Sequence, residues 1–172
     1  MVLRLSLSIL YPTDMKLTKY ITIACLFSLL ACSEPVKVEP LTYTQIFTGK
    51  TKKIWTIRSV QQTQNGKGTQ TFTLDPCIYD DQYIFINDFD KTYQVLDGSN
   101  KCLSTDPDVL VDSNWSFVNA TATLTIIVPI LSESPLPFIV KSIDDTKMTI
   151  DVYVDDAKTT AFRFNFKSAA GG

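Results

Sequence analysis

The chain has 172 residues, a formal net charge of −2 and no histidine, with 45% hydrophobic, 20% charged and 11% aromatic residues. These figures describe one ordinary domain with a substantial core. The missing histidine excludes Ser-His-Asp and Cys-His catalysis, His-ligated zinc and a haem on a proximal histidine. A pI near 5.0 leaves no basic footprint for a phosphate backbone, so no nucleic-acid partner is expected.

Met15-Lys16-Leu17-Thr18-Lys19, the apolar stretch Tyr20 to Leu30 and then Ala31-Cys32-Ser33 have the three parts of a secretory signal. A spanning helix needs roughly 20 apolar residues, and Tyr20 to Ala31 supplies 12, interrupted by Thr22 and Ser28. Met1 to Asp14 either precede the true start at Met15 or lengthen the basic n-region. Leu29-Leu30-Ala31-Cys32 resembles the lipobox of bacterial lipoproteins, which implies acylation of Cys32 and cleavage just before it. Several acyl chains at one point make a stable anchor. The expected division is a signal peptide over 1–31, a lipidated tether and lead-in over 32–46, a β-barrel domain over 47–168 and a disordered tail over 169–172. Cleavage leaves a mature chain of 141 residues with 13 basic and 17 acidic side chains.

Pro35 and Pro40 make the tether semi-extended, and Thr42 to Phe47 reads as a turn of helix or a lead-in strand. After Lys52 the apolar period is two. Met148, Ile150, Val152 and Val154 share one face, with Thr149, Asp151, Tyr153 and Asp155 on the other, the pattern of a half-buried strand. Phe162, Phe164 and Phe166 repeat it, with Ala161, Arg163, Asn165 and Lys167 expected to face water. Earlier strands are expected over Lys53 to Gln62, Gly68 to Leu74, Gln82 to Asn87, Thr92 to Asp97, Asn114 to Val118, Thr123 to Val128 and Phe138 to Ile143. Their links, such as Asn65-Gly66, Asp88-Phe89-Asp90 and Asp144-Asp145, carry residues that tolerate tight turns. Short links between sequential strands favour an all-β, antiparallel up-and-down barrel of about 8–9 strands, which also disposes of sheet edges. A two-sheet β-sandwich is the alternative. Gly98 to Asp112 and Ile130 to Pro137 are the longest interruptions and the candidate lid or rim loops.

With Cys25 in the discarded leader and Cys32 acylated, Cys77 and Cys102 remain. An exported chain with two such cysteines favours a disulfide, and both lie just beyond the open end of the hairpin formed by Gln82 to Asn87 and Thr92 to Asp97. A metal pair or a reactive thiol lacks the close spacing and a histidine partner. The acidic pairs Asp80-Asp81, Asp88 and Asp90, Asp106 and Asp108, Asp144-Asp145 and Asp155-Asp156 lack calcium-loop spacing. Their positions in expected turns make them solvated turn residues, ahead of a calcium site or a catalytic carboxylate pair. No metal, cofactor or catalytic residue is expected. Trp55 and Trp115 sit among apolar neighbours, as core or as ligand-stacking residues.

Thr48-Gly49-Lys50 leading to Lys53-Ile54-Trp55-Thr56-Ile57, Asp75-Pro76-Cys77, Asp80-Asp81-Gln82-Tyr83-Ile84-Phe85, Lys91-Thr92-Tyr93, Gly98 through Lys101-Cys102, and Trp115-Ser116-Phe117 together resemble the lipocalin-like domain of small lipoproteins from Bacteroidetes-type bacteria. Lipocalins proper carry Gly-x-Trp at the first strand, whereas Gly49 and Trp55 are six apart. The resemblance implies a β-barrel lipoprotein with no catalytic residues to carry over. Two functions follow as expectations. One is a binding barrel holding a small apolar ligand among Trp55, Trp115, Met148, Ile150, Val152, Phe162, Phe164 and Phe166. The other is a non-catalytic structural or interaction subunit that meets an envelope protein partner. Either would be tied to the membrane through the lipid on Cys32. Ser33 differs from the aspartate typical of inner-membrane retention, so the outer membrane is the expected location, at its periplasmic face or on the cell surface.

Overall fold

In the computed structural model residues 42–169 are described. The signal peptide, Cys32, the first part of the tether and the last three residues lie outside them. Among the described residues no helix is long and apolar enough to cross a membrane.

The first element is helix α1, Tyr43–Thr48, so the lead-in is a turn of helix rather than a strand. Thr42 and Gln45 form a reciprocal capping box: the Gln45 N–H donates to Thr42 Oγ1 at 3.3 Å and the Thr42 N–H to Gln45 Oε1 at 2.9 Å, which satisfies two otherwise orphaned donors. Gly49 ends the helix at φ 63°, a left-handed angle that glycine adopts without a steric penalty. The helix faces the barrel through Phe47, which is fully buried. Tyr43, in the lead-in expected to end at residue 46, packs on Phe117 with ring centroids 5.4 Å apart, so the lead-in is partly built into the barrel.

Ten strands follow: β1 Lys52–Gln64, β2 Lys67–Phe72, β3 Gln82–Ile86, β4 Thr92–Leu96, β5 Val109–Asn114, β6 Ser116–Val118, β7 Thr123–Ile126, β8 Leu136–Ile143, β9 Lys147–Tyr153 and β10 Thr160–Ser168. A short helix α2, Pro76–Tyr79, separates β2 from β3. The sheet runs β5-β4-β3-β1-β10-β9-β8-β7-β6, with β2 also on β1, and every pairing is antiparallel. β1 carries β10 along one edge, while its other edge carries β3 at Lys52 to Trp55 and β2 at Val60 to Gln64. β2 and β3 are thus one stave interrupted by α2.

The two ends of the sheet are joined by the chain itself. Following the alternation around from β1, β5 and β6 run in the same sense, and only Trp115 separates them. The staves β1, β2/β3, β4, β5/β6, β7, β8, β9 and β10 number eight, and the sheet is nearly closed into an up-and-down barrel. A two-sheet sandwich is not formed, because sequential pairing from β3 to β5 and from β6 to β10 leaves no second sheet.

Some expected boundaries move. Val109 to Asp112, assigned above to a loop, belong to β5, where Val111 pairs with Val95 and is buried. The loop therefore contracts to 97–108. Pro137 lies inside β8, opposite Thr125. Its missing N–H is harmless because the β9 ladder begins only at Ile139 opposite Asp151. Val154 falls beyond β9 and is exposed. Asp151 and Ala161, expected to face water, are buried on the outer surface. There Arg163 Nε and Nη2 donate to the two Asp151 carboxylate oxygens, both at 2.8 Å.

The core is aromatic toward α1. Phe47 packs against Phe85, Trp115 and Phe117 with ring centroids 5.8, 5.7 and 5.1 Å away. The Trp55 indole N–H donates to the Phe47 carbonyl at 3.0 Å, so the polar tip of a buried tryptophan is satisfied by the helix that covers it. Tyr83 stacks edge-on against Phe166 at 5.3 Å. This end of the barrel is plugged.

Candidate functional site

β1 runs away from α1, and a cleft of about 390 Å³ opens around its second half. Val60 comes from β1, Phe72 from β2, and Phe162 and Phe164 from β10. Thr73, Leu74 and Asp75 lead into α2, which adds Ile78, and Ile130 and Leu131 reach over from the β7–β8 connection. Phe72 and Phe162 meet edge to face with centroids 5.8 Å apart. The volume lies at the low end of the roughly 300–1,000 Å³ typical of small-molecule sites, and the apolar wall fits that class.

The eight side chains expected to hold a ligand separate into two groups. Phe162 and Phe164 line the cleft. Trp55, Trp115, Met148, Ile150, Val152 and Phe166 belong to the packed core and are not among the lining residues. The period of two correctly placed all three β10 phenylalanines on the inner face. It does not reveal how far along the axis the interior is already filled. Val60, Phe72, Leu74 and Ile78 also line the cleft outside the expected ligand set, as do Ile130 and Leu131, which open the expected rim loop. The signal for the last pair was available: two adjacent aliphatic residues in a proline-containing loop.

One wall of the cleft is firmly fastened. Cys77 of α2 is disulfide-bonded to Cys102, with Cα atoms 5.2 Å apart. Next to α2, Asp80 Oδ2 accepts from Ser99 Oγ at 3.1 Å, the Asn100 backbone N–H at 3.0 Å and Asn100 Nδ2 at 3.2 Å. The Asn100 backbone bond, with help from Ser99, holds the Asp80 carboxyl below its usual range. A Cβ at Gly98 would come within 2.2 Å of the Asp80 carboxyl carbon, so a larger residue there would have to displace this carboxylate. Lys101 ties the far side of the same loop to Asp108 at 2.7 Å.

Beneath this strap lies an unusual acid. Asp81 is 4% exposed, and extending the β3–β4 register past Gln82 opposite Leu96 sets it across from Asp97. Burial, and then the charge of Asp97, push the Asp81 carboxyl up to about 7. Its Oδ1, Asp97 Oδ2 and the Tyr83 hydroxyl have no hydrogen-bond partner. Burial also raises the Tyr83 hydroxyl.

The other acidic pairs do turn work. Asp144 Oδ1 accepts from the N–H groups of Thr146 and Lys147 at 2.7 and 2.8 Å, and Asp88 accepts from the Thr92 N–H at 2.8 Å. Asp155 accepts from the N–H groups of Thr159 and Thr160 at 2.8 and 2.7 Å, bonds that draw its carboxyl down to about 2. Among the described residues no three histidine, cysteine or acidic side chains are grouped to hold a metal.

Fold and site together define a class: an up-and-down antiparallel barrel, plugged by a helix at one end and carrying an apolar cleft toward the other. No known protein family, curated protein or solved structure matches the chain.

Proposed function

We propose that this protein is a lipid-anchored, non-catalytic protein of the cell envelope whose barrel binds a small apolar ligand. The observation that carries the reading is the cleft itself: an apolar cavity, framed by phenylalanine rings and rigid strands, in a barrel whose other end is filled. The strands that carry Val60, Phe72, Phe162 and Phe164, and the disulfide-tied α2, reduce the ordering cost of binding on their part of the wall. Acylation at Cys32 and a place at the outer membrane rest on the leader and lipobox pattern, and on a lipocalin-like barrel as the displayed domain.

Native mass spectrometry of the full-length chain carrying Cys32→Ser, taken from an oxidising periplasm before and after organic extraction, tests the binding. A discrete adduct that extraction removes supports a ligand and gives its mass. An unliganded mass in both samples removes the binding reading. Incorporation of a labelled fatty acid by the wild-type chain but not by Cys32→Ser tests the anchor.

A second reading, an interaction subunit that meets an envelope protein, is favoured by one feature. Phe89 at the tip of the β3–β4 hairpin is 100% exposed, an aromatic ring held in water beside the plugged end. Cross-linking from position 89 in intact cells would capture a discrete partner on that reading.

A further inference from the structure

The wall of the cleft is apolar with one charged exception. Asp75 is the one ionisable side chain among the lining residues, and no lysine or arginine joins it there. Its carboxylate occupies the N-cap position of α2 without making a capping bond. No ion pair is formed to it among the described residues.

Its location is set by its neighbours. Pro76 keeps the preceding residue extended, and Asp75 has φ −63° and ψ 145°. Cys77, two residues on, is tied down by the disulfide. Leu74 turns inward against the core while Thr73 and Asp75 remain exposed. The result is that Thr73 and Asp75, both exposed, stand at the lip of a cavity otherwise lined by hydrocarbon, with no lysine or arginine among the lining residues.

We infer that the ligand taken at this mouth is an apolar molecule with a cationic, amine-type head. Its hydrocarbon would lie against Phe72, Phe162 and Leu74, and its ammonium would meet Asp75, with Thr73 as a further acceptor. The inference rests on the cleft being a ligand site and names the chemistry of what fills it. A carboxylate or phosphate head in the same pose would face Asp75 with like charge. An exposed charge pair changes affinity by up to about fivefold in either direction, so amine and carboxylate heads on one chain differ by roughly tenfold.

The test uses the full-length chain carrying Cys32→Ser and three probes of equal chain length: dodecylamine, dodecanol and dodecanoate. Each displaces a neutral naphthyl dye below its micelle concentration, at neutral pH and low salt. The expected order is amine, alcohol, carboxylate, with the extremes roughly tenfold apart. Asp75→Asn should draw all three to within about twofold of one another, by weakening the amine and strengthening the carboxylate, since it removes a charge and no apolar contact. Carboxylate binding as tight as the amine, or an unchanged order in Asp75→Asn, overturns the head-group inference while dodecanol binding still supports the cleft. Failure of all three probes to compete, or of the dye to bind, overturns the ligand-site reading and this inference with it.

Discussion

The two ends of the barrel are built from the same strands but use them differently. At the plugged end, Phe47 enters from α1 and meets Phe85, Trp115 and Phe117 ring to ring. Toward the mouth, aliphatic residues and the rings of Phe72 and Phe162 surround about 390 Å³ of space. β10 crosses from one regime to the other: Phe166 belongs to the packed core, Phe164 is buried and also borders the cleft, and Phe162 is only half-buried. Three side chains of one inner face, spaced over five residues, therefore pass from core to candidate site. The difference teaches that an aromatic interior is no measure of binding space, because the rings at one end are there to exclude it.

Truncation at each end should expose that division most strongly. Phe47→Ala deletes a fully buried ring and is expected to cost about 3–5 kcal/mol, read as a fall in the urea midpoint. Phe162→Ala should cost about 1 kcal/mol or less, because the ring is only half-buried, yet weaken dye binding in the cleft severalfold. Equal stability losses at the two positions would remove the distinction between plug and mouth.

The disulfide links the mouth to the strap, and its loss ranks next. Cys77 and Cys102 close a loop of 25 positions, so replacing both with alanine is expected to cost on the order of 3 kcal/mol in the chain-entropy model. The same change frees α2, which carries Ile78 at the cleft wall. Dye affinity should fall with it, whereas the fluorescence of Trp55 and Trp115 at the plugged end should stay that of the wild type. A variant with lower stability and intact dye affinity would show that the Asp80 hydrogen bonds suffice to hold the wall.

Most of the barrel was legible because alternation and turn chemistry agree. Met148, Ile150 and Val152 read as inward and are buried, and the hairpins at Asn65-Gly66 and Asp144-Asp145 fall where their turn residues stand. β5 was missed because Val109, Leu110 and Val111 follow Asp106, Pro107 and Asp108, a polar, turn-rich context, and only Val111 of the three is buried. The cleft was half legible. Phe162 and Phe164 follow from periodicity, and Ile130 and Leu131 open the expected rim loop, but which wall of the barrel that loop crosses is set by the tertiary fold. Asp81 is the clearest limit. As one of two adjacent aspartates it reads as a solvated turn, and only the register of β3 against β4 places it opposite Asp97 under the strap.

That buried acid makes the strap side of the barrel pH-sensitive. Asp81 titrates near 3.8 when unperturbed and near 7 in the folded protein, so the folded state holds its proton more tightly. Its contribution to stability is present in full below about pH 4 and is lost as the pH rises through about 7. Asp155, Asp144 and Asp88, whose carboxyls hydrogen bonds draw downward, contribute with the opposite sign, but their contributions change only on the acid side of that window. Unfolding free energies from pH 4.5 to 8 should therefore decline in the wild type and stay flatter in Asp81→Asn, leaving the variant about 1–2 kcal/mol more stable at pH 8 once solvent screening is allowed for. A wild-type stability that rises across this range in parallel with the variant would sink the assignment.

The smallest effect belongs to Phe89, and it separates the two functional readings. Its ring is 100% exposed at the hairpin tip, and Asn87 beside it is tied to the plugged end through the Thr51 carbonyl at 2.8 Å. Single exposed aromatics are ordinary on protein surfaces, and removing one that touches nothing should alter stability by less than about 0.5 kcal/mol. Phe89→Ser should therefore leave both the unfolding midpoint and dye binding at the distant cleft unchanged. If the plugged end docks on an envelope protein, the same variant loses the cross-link formed from neighbouring positions on that hairpin while the cleft still binds dye. Loss of dye binding instead would mean that the two ends communicate through the barrel, and that packing at the plug helps set the shape of the mouth.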